Sequence, residues 1–153
     1  MKLLPVLLLA LLPLTAHALA PGDHVAPWTL LDQYDQPYTL NDQTRTLLVA
    51  RSMDAAKLVN AALESKPKGF LESRQTVFIA DIQKMPAVIA TVFAIPKMRD
   101  YSYRVMLDRE SRIVPRYAGD EDKVLWLQLR DGKLVSQQQF SSAEQLRAAL
   151  ERP

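Results

Sequence analysis

Apolar positions along this chain fall into two regimes, continuous runs and spaced repeats. The runs Thr46-Leu47-Leu48-Val49-Ala50-Arg51 and Thr76-Val77-Phe78-Ile79-Ala80-Asp81 lack the period-two alternation of a half-solvated strand. Each is read as a strand buried on both faces, as in a parallel sheet. Between them Ala55, Val59, Ala62 and Leu63 recur at three- and four-residue spacing. That predicts a helix beginning near Asp54 and stopped by Pro67 and Gly69. Strand, helix and strand with so long a connection make a parallel βαβ unit with a right-handed crossover.

On the N-terminal side, Pro21 to Pro27 carries two prolines and a glycine and is expected to be an extended arm. Trp28 to Asp32 and Tyr38 to Leu40 follow as a short β-hairpin. On the C-terminal side, Pro86 opens a second helix whose apolar Val88, Ile89, Val92, Phe93 and Ile95 cover most of its circumference until Pro96 breaks it. Such a helix is either deeply packed or offers a surface to a partner, and packing is the favoured reading. Tyr103 to Leu107 is a short further strand, and Asp108 to Ser111 turns the chain toward Ile113, Val114 and Tyr117. Residues 124–130, the Asp131-Gly132 turn and the return to Phe140 form an antiparallel hairpin. Ser141 and Glu144 have capping-box spacing ahead of a terminal helix that packs through Leu146 and Leu150.

Length and composition narrow the function classes. The 153 residues, 48% hydrophobic and 24% charged, suit a single domain with a proper core. The 19 basic and 17 acidic residues are scattered without blocks, which gives no footprint for nucleic acid. Met1-Lys2, the apolar Leu3 to Leu14 and the small residues around Ala16, Ala18 and Ala20 have the layout of a secretory signal peptide. We therefore expect a leader over residues 1–20, cleaved after Ala18 or Ala20, and one domain over residues 21–153, exported and periplasmic in a Gram-negative source. The apolar run is shorter than the roughly 20 residues of a spanning helix, so membrane attachment is expected only if the leader stays uncleaved. There is no cysteine, which removes disulfides, thiolate nucleophiles, iron–sulfur clusters and cysteine zinc sites.

The order of elements, taken with Gly22, Pro27, Leu30, Asp32 and Leu40 in a "L-x-D-x-x-G-x-x-x-x-L" pattern that lacks its usual glycine, resembles the thioredoxin-like superfamily. The resemblance is to its exported thiol-disulfide and peroxiredoxin-like branch, and within it to a cysteine-less periplasmic group. The segments Tyr103 to Asp108 and Tyr117 to Gly119 resemble that branch's inserted strand and the stretch leading into its substrate-facing loop. The resemblance implies an α/β, thioredoxin-like fold: a central mixed sheet flanked by helices, with an N-terminal β-hairpin and a C-terminal β-hairpin and helix. It also implies a redox centre just after the central strand, where a helix start lowers a thiol pKa. There this chain has Asp54-Ala55-Ala56-Lys57, and in the loop that elsewhere carries a proline opposite the thiols it has Gly119 to Lys123 without proline. Disulfide exchange requires a sulfur nucleophile, so thiol oxidoreductase and peroxidase activity are not expected.

The vacated position and its rim, Ser52, Asp54, Lys57, Asp122 and Lys123, are the candidate binding surface. No catalytic residue, metal ligand or cofactor is assigned. Asp54 is read as a first-turn or N-cap carboxylate in preference to a catalytic acid paired with Lys57. Ser52 lacks a base, since the only histidine beyond the leader is His24 in the arm. Asp120, Glu121 and Asp122 are read as a solvated acidic turn in preference to a cation loop. Arg99, Tyr101, Tyr103 and Arg104 are read as an ordinary approach to a strand in preference to a ligand patch. The expected role is non-catalytic binding of another envelope protein. The alternatives are a non-thiol enzyme built on Asp54 and Lys57, and a protein held at the inner membrane by its leader.

Overall fold

The computed structural model describes residues 18–153; the expected leader falls almost wholly outside them. Seven strands form two sheets. β1 (Thr29–Leu31) and β2 (Pro37–Thr39) make the N-terminal hairpin. The main sheet has the order β5 (Met106–Asp108), β4 (Thr76–Asp81), β3 (Thr46–Ala50), β6 (Val124–Arg130) and β7 (Lys133–Phe140). β3 runs parallel to β4, with Leu48 opposite Phe78, and β4 runs parallel to β5. β6 is antiparallel to both β3 and β7.

The absence of alternation in β3 has its cause in this order. The strand is central, and all five of its residues are buried, so both faces are apolar beyond Thr46 at its start. Leu47, Leu48 and Val49 are fully buried, a contribution of about 1.5–3 kcal/mol each. Leu48 and Ala50 face a core shared with α1 (Met53–Leu63) and the C-terminal helix α4 (Ala143–Glu151). Leu47 and Val49 face a second core, covered by Val25, Trp28 and Leu40 of the arm and hairpin and by Ile113, Val114 and Tyr117. In α1 the buried residues are Ala55, Val59, Ala62 and Leu63, the four picked out by their spacing. A short helix, α2 (Phe70–Ser73), follows Gly69, whose φ of +83° suits a glycine.

Three expectations need correction. Pro96 does not break its helix: Ala87–Ile89, the π-helical turn Ala90–Ala94 and Ile95–Met98 are continuous, and together form α3. The Ile95 amide bonds Ala90, five residues back, and this wider turn absorbs the N–H that proline lacks. Nor is this helix packed all round, since only Ala90 and Ile95 are buried while Val88, Ile89, Val92 and Phe93 are exposed. Finally, the cap of α4 is Ser142, one residue beyond the expected Ser141: its Oγ accepts from the Gln145 amide at 3.3 Å and donates to Glu144 at 2.8 Å.

The β6–β7 turn is as expected. Asp131 and Gly132 both have positive φ between the paired Arg130 and Lys133, the geometry of a two-residue turn whose twist matches the strands. The arm is pinned beside it, with the Val25 amide bonded to the Gly132 carbonyl and the Gly22 amide to the Leu134 carbonyl, both at 2.8 Å.

Candidate functional site

β3 ends at Ala50, and two residues later the chain turns into α1, so Arg51 and Ser52 stand where the sheet opens toward the helix dipole. Ser52 is the N-cap. It is extended, at φ −149° and ψ 166°, and its Oγ accepts from the Ala55 amide at 3.1 Å. The same hydroxyl donates to the Glu121 carbonyl at 2.5 Å. It is thus fully engaged as donor and acceptor, tying the helix start to the loop of residues 118–123. Replacing Ser52 with alanine is expected to cost about 1 kcal/mol and to lower the melting temperature by about 3 °C. Thermal unfolding followed by circular dichroism checks it, with the smaller effect of Asp54→Ala as comparison.

Arg51 makes the second tie. Its guanidinium donates to the carbonyls of Tyr117 and Gly119, the latter at 3.2 Å. Burial pushes its pKa down, and Glu121, Asp81 and Asp120 oppose that shift, so the arginine is a cation held between acidic neighbours. Gly119 passes close to its neighbours: a Cβ there would meet Gln139 Oε1 tightly, at 3.3 Å, and the Arg51 guanidinium in ordinary contact at 3.6 Å. The Gln139 oxygen accepts the Asp120 amide at 2.7 Å, fastening the loop to β7.

A third tie comes from the far side. Lys84, in the turn after β4, contacts Glu121 at 2.8 Å. The Glu121 carboxyl is lowered and the Lys84 ammonium raised by their mutual hydrogen bond. Tyr117 is fixed from below by the Trp28 indole, which donates to its hydroxyl at 3.0 Å. Burial raises the Tyr117 pKa against the opposing effects of Trp28 and Arg116.

The remaining rim residues are in solvent. Asp54 lies in the first turn of α1 and is exposed, as is Lys57; no ion pair among the described residues joins them. Asp122 is exposed, and Lys123 contacts Asp120 at 3.1 Å. His24 sits beside Asp42 and Gly132 at the opposite end of the sheet, out of reach of Ser52. Arg51 had not been singled out, and Glu121 only as one carboxylate of an acidic turn. The signal available for Arg51 was a charge at the end of a wholly apolar strand, whereas Glu121 acts through its carbonyl, which sequence does not display.

The aromatic-basic stretch proves structural. Tyr103 is buried, stacked on Tyr101 with centroids 5.0 Å apart, and its hydroxyl donates to Asn60 at 3.0 Å. Arg99 donates to the Gln33 carbonyl at 2.8 Å.

No protein family matches this chain, and neither does any curated protein. Solved structures do. Peroxidoxin BcpB from Mycobacterium tuberculosis is similar with a TM-score of 0.55 at 14% identity, covering 88% of this chain and 99% of that one. A peroxiredoxin-like protein from Aquifex aeolicus gives 0.56 at 12% identity, covering 88% of each chain. The thioredoxin domain of a thiol-disulfide oxidoreductase from Bacteroides vulgatus gives 0.54 at 14% identity, over 87% and 96%. Together with the strand order and the helix that begins at the end of the central strand, these likenesses show that the chain has the thioredoxin-like fold, in a version without cysteine.

Proposed function

We propose that this is an exported binding protein of the cell envelope, which engages another envelope protein through the rim of its vacated redox site. The observation that carries the reading is the state of that rim. Ser52, Arg51 and Lys84 bind the loop of residues 118–123 down to the helix start, while Met53, Asp54, Lys57 and Asp122 stay in solvent beside it. A fixed backbone with exposed charges and one exposed methionine suits recognition more than turnover. Export follows from the leader-like composition of residues 1–20, and the leader's fate decides between a free and an anchored protein.

Purified protein is expected neither to accelerate insulin reduction nor to consume peroxide. Captured from an envelope fraction, it should retain a partner that the double charge reversal Asp54→Lys, Lys57→Glu releases. Measurable turnover in either assay, or a partner indifferent to the reversal, overturns the reading. The intact mass of the same preparation reports whether Met1 and Lys2 persist.

A further inference from the structure

Among the described residues, four of the eight exposed large apolar side chains lie together on α3, a surface that the core and the rim leave unexplained. Val88 is 68% exposed, Ile89 45%, Val92 55% and Phe93 64%. The pairs Val88 and Val92, and Ile89 and Phe93, are each four residues apart and so form a double row along the helix. The four side chains leave roughly 400 Å² of apolar surface in water, a size at which such patches are usually functional. We propose that this surface is covered by the same surface of a second copy of the chain, two α3 helices packing antiparallel about a two-fold axis.

Area and charge select that occupant. Two copies face to face remove roughly 800 Å² of apolar surface before flanking residues are counted, close to the about 1,000 Å² that a specific interface needs. A two-fold contact must be self-complementary, and the double row is apolar along its whole length. The ends differ in charge. From Ile82 to Asp100 the chain contains Lys84, Lys97 and Arg99 and one acid, Asp100, and Arg99 is paired with Asp35. At the start of the helix Lys84 is neutralised by Glu121, which stands in a loop with Asp120 and Asp122. At its other end Lys97 is exposed and has no ion-pair partner among the described residues. An antiparallel crossing carries each Lys97 to the acidic loop of the other copy, twice by symmetry. A parallel crossing would set Lys97 against Lys97, a like-charge contact.

The proposal shares the acidic loop of residues 120–122 with the rim reading but rests on the exposed side of α3 and on a different measurement, self-association, so either can fail without the other. Sedimentation velocity across the micromolar range is expected to show a reversible dimer. Phe93→Asp places a charge at the centre of the contact and should weaken it about 30-fold or more. Because Phe93 lies in solvent, that variant keeps its circular dichroism spectrum and melting temperature when measured in the monomeric range. Lys97→Glu should weaken the dimer as well, and Lys97→Glu combined with Glu121→Lys should restore it. A wild-type chain that stays monomeric throughout overturns the proposal; if that monomer floats with phosphatidylglycerol-containing vesicles, a membrane is the occupant instead. A dimer that Phe93→Asp leaves unchanged, or a double exchange that fails to restore association, overturns it too.

Discussion

Asp32→Ala is expected to destabilise the protein by about 3 kcal/mol, with the deficit shrinking in acid. Asp32 is 1% exposed, at the end of the first hairpin strand. Its Oδ1 accepts the amides of Tyr34 at 2.8 Å and Gln36 at 2.9 Å, and its Oδ2 accepts Arg104 Nε at 2.7 Å. Burial pushes the carboxyl pKa up, but the bonds from Gln36, Arg104 and Tyr34 outweigh it and hold the group below its ordinary value. The sign follows from that direction. A carboxyl with a folded pKa below its unfolded value of about 3.9 adds stability that is full above that value and is lost as pH falls through the folded pKa. Urea unfolding of wild type and Asp32→Ala at neutral pH and again below about pH 3 reads both quantities. An equal deficit at both would mean that the charge is not its source. Asp32→Asn keeps an acceptor and most of the shape, and should lose about half as much.

The neighbouring residue explains why so large an effect belongs to a hairpin turn. Gln33 is fully buried, and its side-chain amide donates to the carbonyls of Tyr103 at 2.8 Å and Met98 at 3.2 Å while accepting the Val105 amide at 2.9 Å. Gln33 supplies backbone partners for the stretch between α3 and β5, which has no regular structure to satisfy it, and Asp32 holds the Arg104 side chain of the same stretch. A polar pair inside an otherwise solvated turn is here the seam joining the hairpin to the main sheet.

What the sequence displayed and what it hid divide along that line. β3 and β4 were legible because a strand buried on both faces is apolar along most of its length, here after a buried threonine at the start of each, and α1 because Ala55, Val59, Ala62 and Leu63 face one core. The Asp131-Gly132 turn was legible because its backbone restricts the residues that fit it. Three things were not. The exposed side of α3 looks in sequence like a buried one, since periodicity counts apolar residues and says nothing of whether this chain covers them. The extra residue of its π-turn shifts the register that a 3.6-residue period assumes, so Pro96 looked like a stop. The polar joints Asp32, Gln33 and Asp108 have the composition of ordinary turns, and only long-range pairing separates a buried carboxylate from a solvated one. At the site, the vacant position after β3 was visible from the missing cysteines. The closure of the loop over it was not, because it depends on the carbonyls of Tyr117, Gly119 and Glu121.

Asp108 is the joint on which the placement of that loop depends, and Asp108→Ala is expected to cost about 3 kcal/mol. The carboxylate is 1% exposed at the end of β5. One oxygen accepts the amides of Ile113 and Val114, both at 2.8 Å, and the other accepts that of Arg112 at 3.1 Å. Removing it strands two amides that the structure buries, a heavier penalty than the loss of one exposed hydrogen bond. The same three bonds hold the turn in which Ser111 has a φ of +54° and from which the 3-10 helix Val114–Arg116 starts. That helix sets Tyr117, whose hydroxyl meets Trp28 and whose carbonyl receives Arg51. The effect should therefore extend along the chain into the rim. Hydrogen exchange at Ile113 and Val114 is expected to speed up about 100-fold beyond the change in global stability, with a smaller rise at Asp120, while the amides of β3 follow the global change alone. Asp120→Ala, on the exposed surface of the same loop, should leave the free energy of unfolding within about 0.5 kcal/mol of wild type, because the Asp120 carboxylate makes only a solvent-exposed pair with Lys123.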